Sequence, residues 1–441
     1  MPSSFSFCIM TYGCKVNQYE SESIREYWYS IGGAEISVKL LENHIKDGLK
    51  EPSPDIILIS GCAVTAGGVS DARQMARRMR GLFPASKVIV TGCAATAAPE
   101  DFASLGCSMV LPQTAKWNLL MDPPGQMTGE MTFATMEDKY PPFSINGFAR
   151  TRPVLKVQDG CSHRCTYCIV PLTRGPARSR PSDECVSEAA RLLLAGHREI
   201  MISGINLRQY SHGGLSFWGL LRKLDKALVT EWKGRARLRL SSLDPAQLTE
   251  EGFDALAECE LVCPHVHLSL QSGSDAVLKR MGRSHYSAQR VFDSVERLGH
   301  IFPVLGLGAD ILVGFPGETD KEFLESMELV ESLPLTYAHV FPYSERPGTP
   351  AAVMDKPVPP ELRKERASAM RELVERKKEA FAQVLLQLSG FSLIVDQDSS
   401  GNHGPNEFYV QCFLLGERHG TELVHVRPVG YERGRIVAER V

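Results

Sequence analysis

Long apolar runs are missing from this chain. Nothing in it approaches the roughly 20 consecutive apolar residues that a bilayer-crossing helix needs. The first residues, Met1-Pro-Ser-Ser-Phe5, lack a basic stretch followed by an apolar one. No secretion signal and no membrane partner are therefore expected, and the cytoplasm is the expected compartment. An excess of positive charge is missing too: 49 Lys+Arg stand against 52 Asp+Glu, a formal net charge of −3. That argues against a surface coated with basic residues, so a nucleic acid would have to be met by local patches. Internal repeats and low-complexity tracts are not evident. The remaining composition is that of an ordinary globular protein, 43% apolar and 23% charged over 441 residues, long enough for two or three domains. Twelve cysteines in a cytosolic chain are expected as metal ligands or core residues rather than disulfides.

What is there centres on Asp159-Gly160-Cys161-Ser-His-Arg-Cys165-Thr-Tyr-Cys168. Three cysteines spaced C-x3-C-x2-C on one short loop suit three irons of a [4Fe–4S] cube, with the fourth iron left without a protein ligand. An iron open in this way binds a small molecule, whereas a closed four-cysteine site mostly carries electrons or structure. The alternative is zinc with His163 as fourth ligand, but a ligand two residues from each neighbour cramps a tetrahedral site.

The first 120 residues alternate strands and helices, the pattern of a parallel sheet with helices on both faces. Strands are expected at 5–11, 55–60, 87–91 and 109–112, with helices at 18–31 and 70–83. Cys14, Cys62 and Cys93 each follow a glycine just past a strand. In an open parallel sheet the ligand crevice lies beyond the carboxyl ends of the strands. Three strands would thus deliver three thiolates to one edge, a second three-cysteine cluster site. Cys8 lies inside a strand and reads as core, and Cys107, Cys185, Cys259, Cys263 and Cys412 are assigned to packing.

From 121 to 150 the periodicity dissolves into Pro- and Gly-rich sequence, expected as a linker whose apolar residues lie across a neighbouring domain. Residues 151–387 repeat strand and helix six times, with strands at 154–157, 199–203, 237–241, 265–270, 305–311 and 337–341, and a charged helix at 361–388. Six βα units suit a partial (βα)6 barrel with its site at the strands' carboxyl ends. Those ends carry the cysteine loop, Gly204-Ile-Asn206, Ser241-Ser242, Gln271-Ser-Gly273, Asp310 and Pro342-Tyr343. From 388 to 441 short β-like runs at 391–395, 408–415, 422–427 and 435–438 indicate a small β-barrel.

Several stretches together resemble the radical S-adenosylmethionine (AdoMet) methylthiotransferases over nearly the whole chain. They are Thr-Arg-Pro-Val-Leu-Lys-Val-Gln-Asp-Gly-Cys161, Arg174-Gly-Pro-Ala-Arg178-Ser-Arg180, Leu268-Ser-Leu-Gln271-Ser-Gly-Ser274, Asp310-Ile-Leu-Val-Gly-Phe-Pro-Gly-Glu-Thr319 and Phe341-Pro-Tyr-Ser-Glu-Arg-Pro-Gly-Thr-Pro350. The resemblance implies an α/β N-terminal domain with an auxiliary [4Fe–4S] cluster on Cys14, Cys62 and Cys93. It further implies a radical-AdoMet barrel whose cluster sits on Cys161, Cys165 and Cys168, and a C-terminal β-barrel of the TRAM type. Gly13-Cys14-Lys15-Val16-Asn17-Gln18-Tyr19-Glu20 and Arg239-Leu-Ser-Ser-Leu-Asp-Pro245 resemble the branch acting on N6-threonylcarbamoyladenosine at tRNA position 37, beside the anticodon. The branches acting on isopentenyladenosine-37 or on a ribosomal-protein aspartate, and a non-catalytic two-cluster electron carrier, are the competing assignments. Ser60-Gly61-Cys62 stands where the family commonly has Asn-Thr-Cys.

The same resemblance implies two AdoMet molecules per turnover, one methylating a sulfur held at the auxiliary cluster and one supplying a radical that activates C2 of the adenine. An anticodon stem-loop, a reductant and a sulfur donor would be the partners. Tyr167, Gly204, Asn206, Gln271, Arg283 and Asp310 match AdoMet-flanking positions, although composition alone reads Arg283 equally well as a solvated surface arginine. Arg174, Arg178 and Arg180 are candidate phosphate contacts, and Arg73, Arg77 and Arg78 are weaker ones. The C-terminal segment from Leu388 carries five Lys+Arg against seven Asp+Glu, an unfavourable balance for gripping RNA.

Overall fold

Four short apolar runs and the unannounced Gly-Ala-Glu of β2 form one parallel sheet: β1 (Phe5–Thr11), β2 (Gly33–Glu35), β3 (Ile56–Gly61), β4 (Lys87–Gly92) and β5 (Met109–Pro112). Their order is β2-β1-β3-β4-β5. The central strand β3 is buried along its whole length, as a parallel strand covered on both faces must be. Ile57, Ile59, Val88 and Val90 pack with Ala72 and Ala76 of the helix Ala66–Leu82. The first helix, Lys15–Ser30, begins directly after Cys14, three residues earlier than periodicity suggests.

The computed structural model describes residues 5–38, 41, 53–121, 139–396, 402–416, 420 and 422–441. They fall into two compact units: 1–146 with 159–178 and 344–352, and 147–158 with 179–343 and 353–441. The cysteine loop joins the first unit because Ile169, just past Cys168, is buried in that unit's core. Most of the expected linker, 122–138, lies outside the described residues. Of the remainder, Phe143 and Ile145 are buried, and the Tyr19 hydroxyl donates to the Phe143 carbonyl at 2.9 Å.

In the second unit, β6 (Val154–Lys156), β7 (Glu199–Ser203) and β8 (Arg237–Leu240) form one parallel trio. A second parallel trio is β9 (His265–Gln271), β10 (Gly306–Val313) and β11 (Tyr337–Pro342). Parallel bridges at Leu238↔Val262 and Leu243↔Leu268 join the two. With the intervening helices this is the partial (βα)6 barrel. The long helix Pro360–Leu385 leads to an antiparallel-rich sheet of β12 (Phe391–Ile394), β13 (His403–Pro405), β14 (Gln411–Leu414), β15 (Leu423–Glu432) and β16 (Arg435–Arg440). The order is β12-β15-β16-β14-β13, and a bridge at Leu393↔Asn406 nearly closes it into a barrel.

Two expectations for this barrel need correction. Residues 408–410 turn rather than extend, because the Asn406 side-chain oxygen accepts from the backbone N–H groups of Phe408 and Val410. The strand His403–Pro405 has no apolar run to announce it. No helix among the described residues is long and apolar enough to cross a membrane.

Candidate active site

Strand register brings the first cysteine set together. Gly61 of β3 pairs with Gly92 of β4, so Cys62 and Cys93 leave neighbouring strands at the same level, on chains roughly 4.8 Å apart. Cys14 follows β1, the strand on the other side of β3. Gly13 makes the approach possible: it has φ +91°, and a Cβ there would stand 2.3 Å from the Cys62 Cβ and 2.8 Å from its Sγ. Only glycine combines that left-handed backbone with so close a contact. All twelve cysteines are free thiols, and Cys8, Cys185, Cys259, Cys263 and Cys412 are buried packing residues as expected.

Beneath this edge lies a buried polar network that sequence reasoning missed. Asn17 donates its amide to the carbonyls of Tyr12 and Ser60, tying the ends of β1 and β3 together. The fully buried Lys116 ammonium donates to Asn17 Oδ1 and Ser60 Oγ, both at 2.7 Å, and to Glu20 Oε2 at 3.0 Å. Ser60, the departure from the family's pattern, is thus a working member of the floor below Cys62. The sole sequence signal was the pairing of Asn17 and Glu20 three apart on one helical face. Arg174 reaches the same carboxylate, with Nη1 at 2.8 Å from Glu20 Oε1 and 2.9 Å from Asp159 Oδ1.

Burial and one fixed cation act on these thiols in opposite directions. Crowding by protein atoms raises the Cys14 thiol above its ordinary pKa although the residue itself remains exposed, and the Arg174 charge opposes that rise. Burial likewise raises the Cys62 thiol. A metal takes such thiols only as thiolates, so burial opposes that step here and the fixed Arg174 cation favours it. Burial works against the Arg174 charge, but Glu20, Cys93 and Asp159 more than offset it and hold its pKa well above the ordinary value.

The second set occupies a loop of the same unit. The Cys168 N–H donates to the Cys165 carbonyl at 3.0 Å, closing a turn over Thr166 and Tyr167, and the Cys161 N–H donates to the Gly175 carbonyl at 3.0 Å. Gly160 has φ +69°, and a Cβ there would meet the Pro176 carbonyl oxygen at 1.9 Å, so the loop closes on itself with no room for a side chain.

The three arginines expected to contact phosphate are instead internal. Arg174 is spent on Glu20 and Asp159, Arg178 donates to the Arg174 carbonyl, and Arg180 pairs with Glu188 and Glu184. All three are buried, so their guanidinium groups are structural, because a buried cation is kept only with its partners in place. Arg77 and Arg78 are exposed, and Arg73 pairs with Asp101.

Around the second unit's strand ends, Gly204 packs against Gln158, whose buried side-chain oxygen accepts from the N–H groups of Ile205 and Asn206 at 2.9 and 2.8 Å. Gln158 was not singled out from sequence. Gln271 adopts φ +63° at the irregular end of β9. Asp310 lies 3.1 Å from His267 Nε2 and accepts from the Ser242 hydroxyl at 3.3 Å. Burial raises its pKa, but His267 more than offsets this and keeps it below the ordinary value. Arg283 is buried rather than solvated, bonded to Asp244 at 3.0 Å, the Ser269 carbonyl at 3.1 Å and the Tyr286 hydroxyl at 2.9 Å.

Comparison with known proteins agrees with this geometry. Residues 155–330 match the Radical SAM superfamily, and residues 6–112 match the Uncharacterized protein family UPF0004. A threonylcarbamoyladenosine tRNA methylthiotransferase MtaB from Chlamydia pneumoniae is 33% identical, over 99% of this chain and 98% of that protein. The Thermotoga maritima protein of the same name is 36% identical, over 82% of this chain and 80% of its own length. Among solved structures, the radical S-adenosylmethionine methyltransferase TsrM from Kitasatospora setae shares the fold. Its TM-score is 0.59 at 15% identity, covering 79% of this chain and 77% of that one.

Proposed function

This chain belongs to the radical-AdoMet methylthiotransferases, and from that premise we propose that it adds a methylthio group to C2 of N6-threonylcarbamoyladenosine at position 37 of tRNA. The observation that carries the reading is the arrival of Cys14, Cys62 and Cys93 at one sheet edge, in the same compact unit as Cys161, Cys165 and Cys168. A single-cluster radical enzyme has no use for the first set. The cofactors are AdoMet and [4Fe–4S] clusters; bound, they supply one-electron cleavage of AdoMet and a seat for the transferred sulfur.

The chain's own residues do the holding. Gly13 lets the first three thiols close up, while Asn17, Lys116 and Ser60 fix the strand ends that carry them. Arg174 couples this floor to Asp159, two residues before Cys161, and so ties the second loop to the first. Tyr167, Gly204, Asn206, Gln271, Arg283 and Asp310 are proposed to bind AdoMet, with Arg283 acting through its hold on Asp244 and Ser269. The tRNA is proposed to enter by its anticodon stem-loop in the cytoplasm, with a separate reductant and sulfur donor.

Replacing Cys14, Cys62 and Cys93 together by Ala tests the reading. The reconstituted variant should keep about four irons per chain and still release 5′-deoxyadenosine from AdoMet and reductant, but add no methylthio group to tRNA. Wild-type methylthio product from that variant would reduce the three cysteines to packing residues and end the two-cluster reading.

A further inference from the structure

The segment 344–352 belongs to the first unit although Ser344 lies 278 residues beyond Ala66, the residue of that unit it bonds. It is anchored to both cysteine loops. The Ala66 N–H, four residues past Cys62, donates to the Ser344 hydroxyl at 3.2 Å. The Ala351 N–H donates to the carbonyl of Thr166, between Cys165 and Cys168, at 2.8 Å. A strap therefore runs from one cysteine set to the other, and Arg346 sits within it.

Arg346 is 5% exposed. Its Nε is buried without a hydrogen-bond partner, and among the described residues no carboxylate pairs with it. The contrast is with Arg174 and Arg180, each of which meets a carboxylate inside the fold. Guanidinium does not surrender its proton in a protein, and its Nε has left water with no protein acceptor in exchange, which is unfavourable. A fold that keeps such a group on a strap between two cysteine loops keeps it for a ligand.

We infer that Arg346 is a binding residue for a small sulfur anion, hydrosulfide or methylthiolate, held between the two cysteine sets. The class follows from the surroundings. The ligand must be anionic to match a fixed buried cation. It must also be small, because the strap's anchors close on both loops. Sulfur is the atom that the proposed reaction brings to Cys14, Cys62 and Cys93. The inference rests on the proposed function, in which those cysteines carry a cluster with one open iron.

The test uses the full-length chain with Cys161, Cys165 and Cys168 replaced by Ala, so that only the first cluster is loaded. Sodium sulfide or methanethiolate is titrated in, with chloride as control, and the electron paramagnetic resonance spectrum of the reduced cluster is followed. The parent protein should respond saturably to both sulfur anions. Arg346→Gln should raise the apparent Kd by roughly ten- to a hundredfold, as loss of a charge-assisted hydrogen bond does, with iron content unchanged. Arg346→Lys, which keeps the charge, should recover most of the affinity. Parental affinity in Arg346→Gln overturns the inference. Failure of Arg346→Gln to load iron also overturns it, since the arginine would then serve cluster assembly. No response in the parent, by contrast, removes the underlying two-cluster function.

Discussion

At the scale of single residues, the first cysteine set depends on an atom that is absent. Gly13 holds φ +91°, and any Cβ would collide with Cys62. Gly13→Ala should therefore displace Cys14 from Cys62, and iron per chain should fall from about eight to about four while 5′-deoxyadenosine formation persists. Full iron content in that variant would show that the turn has slack. Asp310 belongs to the same scale. It is ionised, partly exposed and oriented by His267 and Ser242, so Asp310→Ala should weaken AdoMet binding at unchanged iron content in equilibrium dialysis. Arg283→Ala is a poor companion, since it takes from the buried Asp244 its arginine partner and leaves the His285 ring, and its main readout will be stability.

At the scale of elements, the helix Asp320–Ser332 shows how a local signal is reinforced from a distance. Thr319 and Glu322 form a capping box, recognisable from their spacing. The structure adds Arg280, which grips both Glu322 oxygens at 2.9 Å. That bond, against burial and with help from Thr319, pulls the Glu322 carboxyl from 4.5 to about 2. The folded pKa is depressed, so the stabilisation is complete above the unfolded value and lost as pH falls through the folded one. The stability advantage of the wild type over Glu322→Gln should hold above pH 4.5 and shrink toward about 2. A gap in melting temperature that stays constant across that window would remove Arg280 and the cap from the account.

At the scale of the whole molecule, the C-terminal β-barrel is built into the second unit. Glu199, fully buried, pairs with Arg237 at 2.6 Å and Arg239 at 2.7 Å. These two cations hold its pKa well below the ordinary range despite burial. Their remaining N–H groups donate to the carbonyls of Ser392, Pro405, Asn406 and Glu407. Gly306 lies so close to the Phe408 carbonyl that a Cβ would stand 2.2 Å from its oxygen. A net-acidic module fixed by backbone carbonyls is better suited to bracing the (βα)6 barrel than to gripping RNA on its own. Arg239→Met should cost about 3–5 kcal/mol, the usual penalty for breaking a buried ion pair. Denaturant unfolding would measure it, and a loss below about 1 kcal/mol would mean that the two parts are merely adjacent.

The sequence by itself determined most of the strands and helices and where the six candidate cluster cysteines sit along them, because those signals are local. Apolar runs of 5–8 residues, glycine just past a strand, and the C-x3-C-x2-C spacing need only neighbouring residues to be read. It also placed Gln271 at a strand end and Asp310 on the next strand, because a parallel βα pattern fixes which end of the sheet carries the site. Tertiary structure alone decided what the arginines do. Arg174, Arg180, Arg283 and Arg346 look alike in a sequence, four cations in glycine- and proline-rich company. Burial separates them: three meet carboxylates contributed by other elements, and one meets none. A charge declares its role only when the fold has removed the water from around it, and which carboxylate then stands nearby is settled by packing, whether it comes from the next helix, as for Arg180, or from the distant Glu20, as for Arg174.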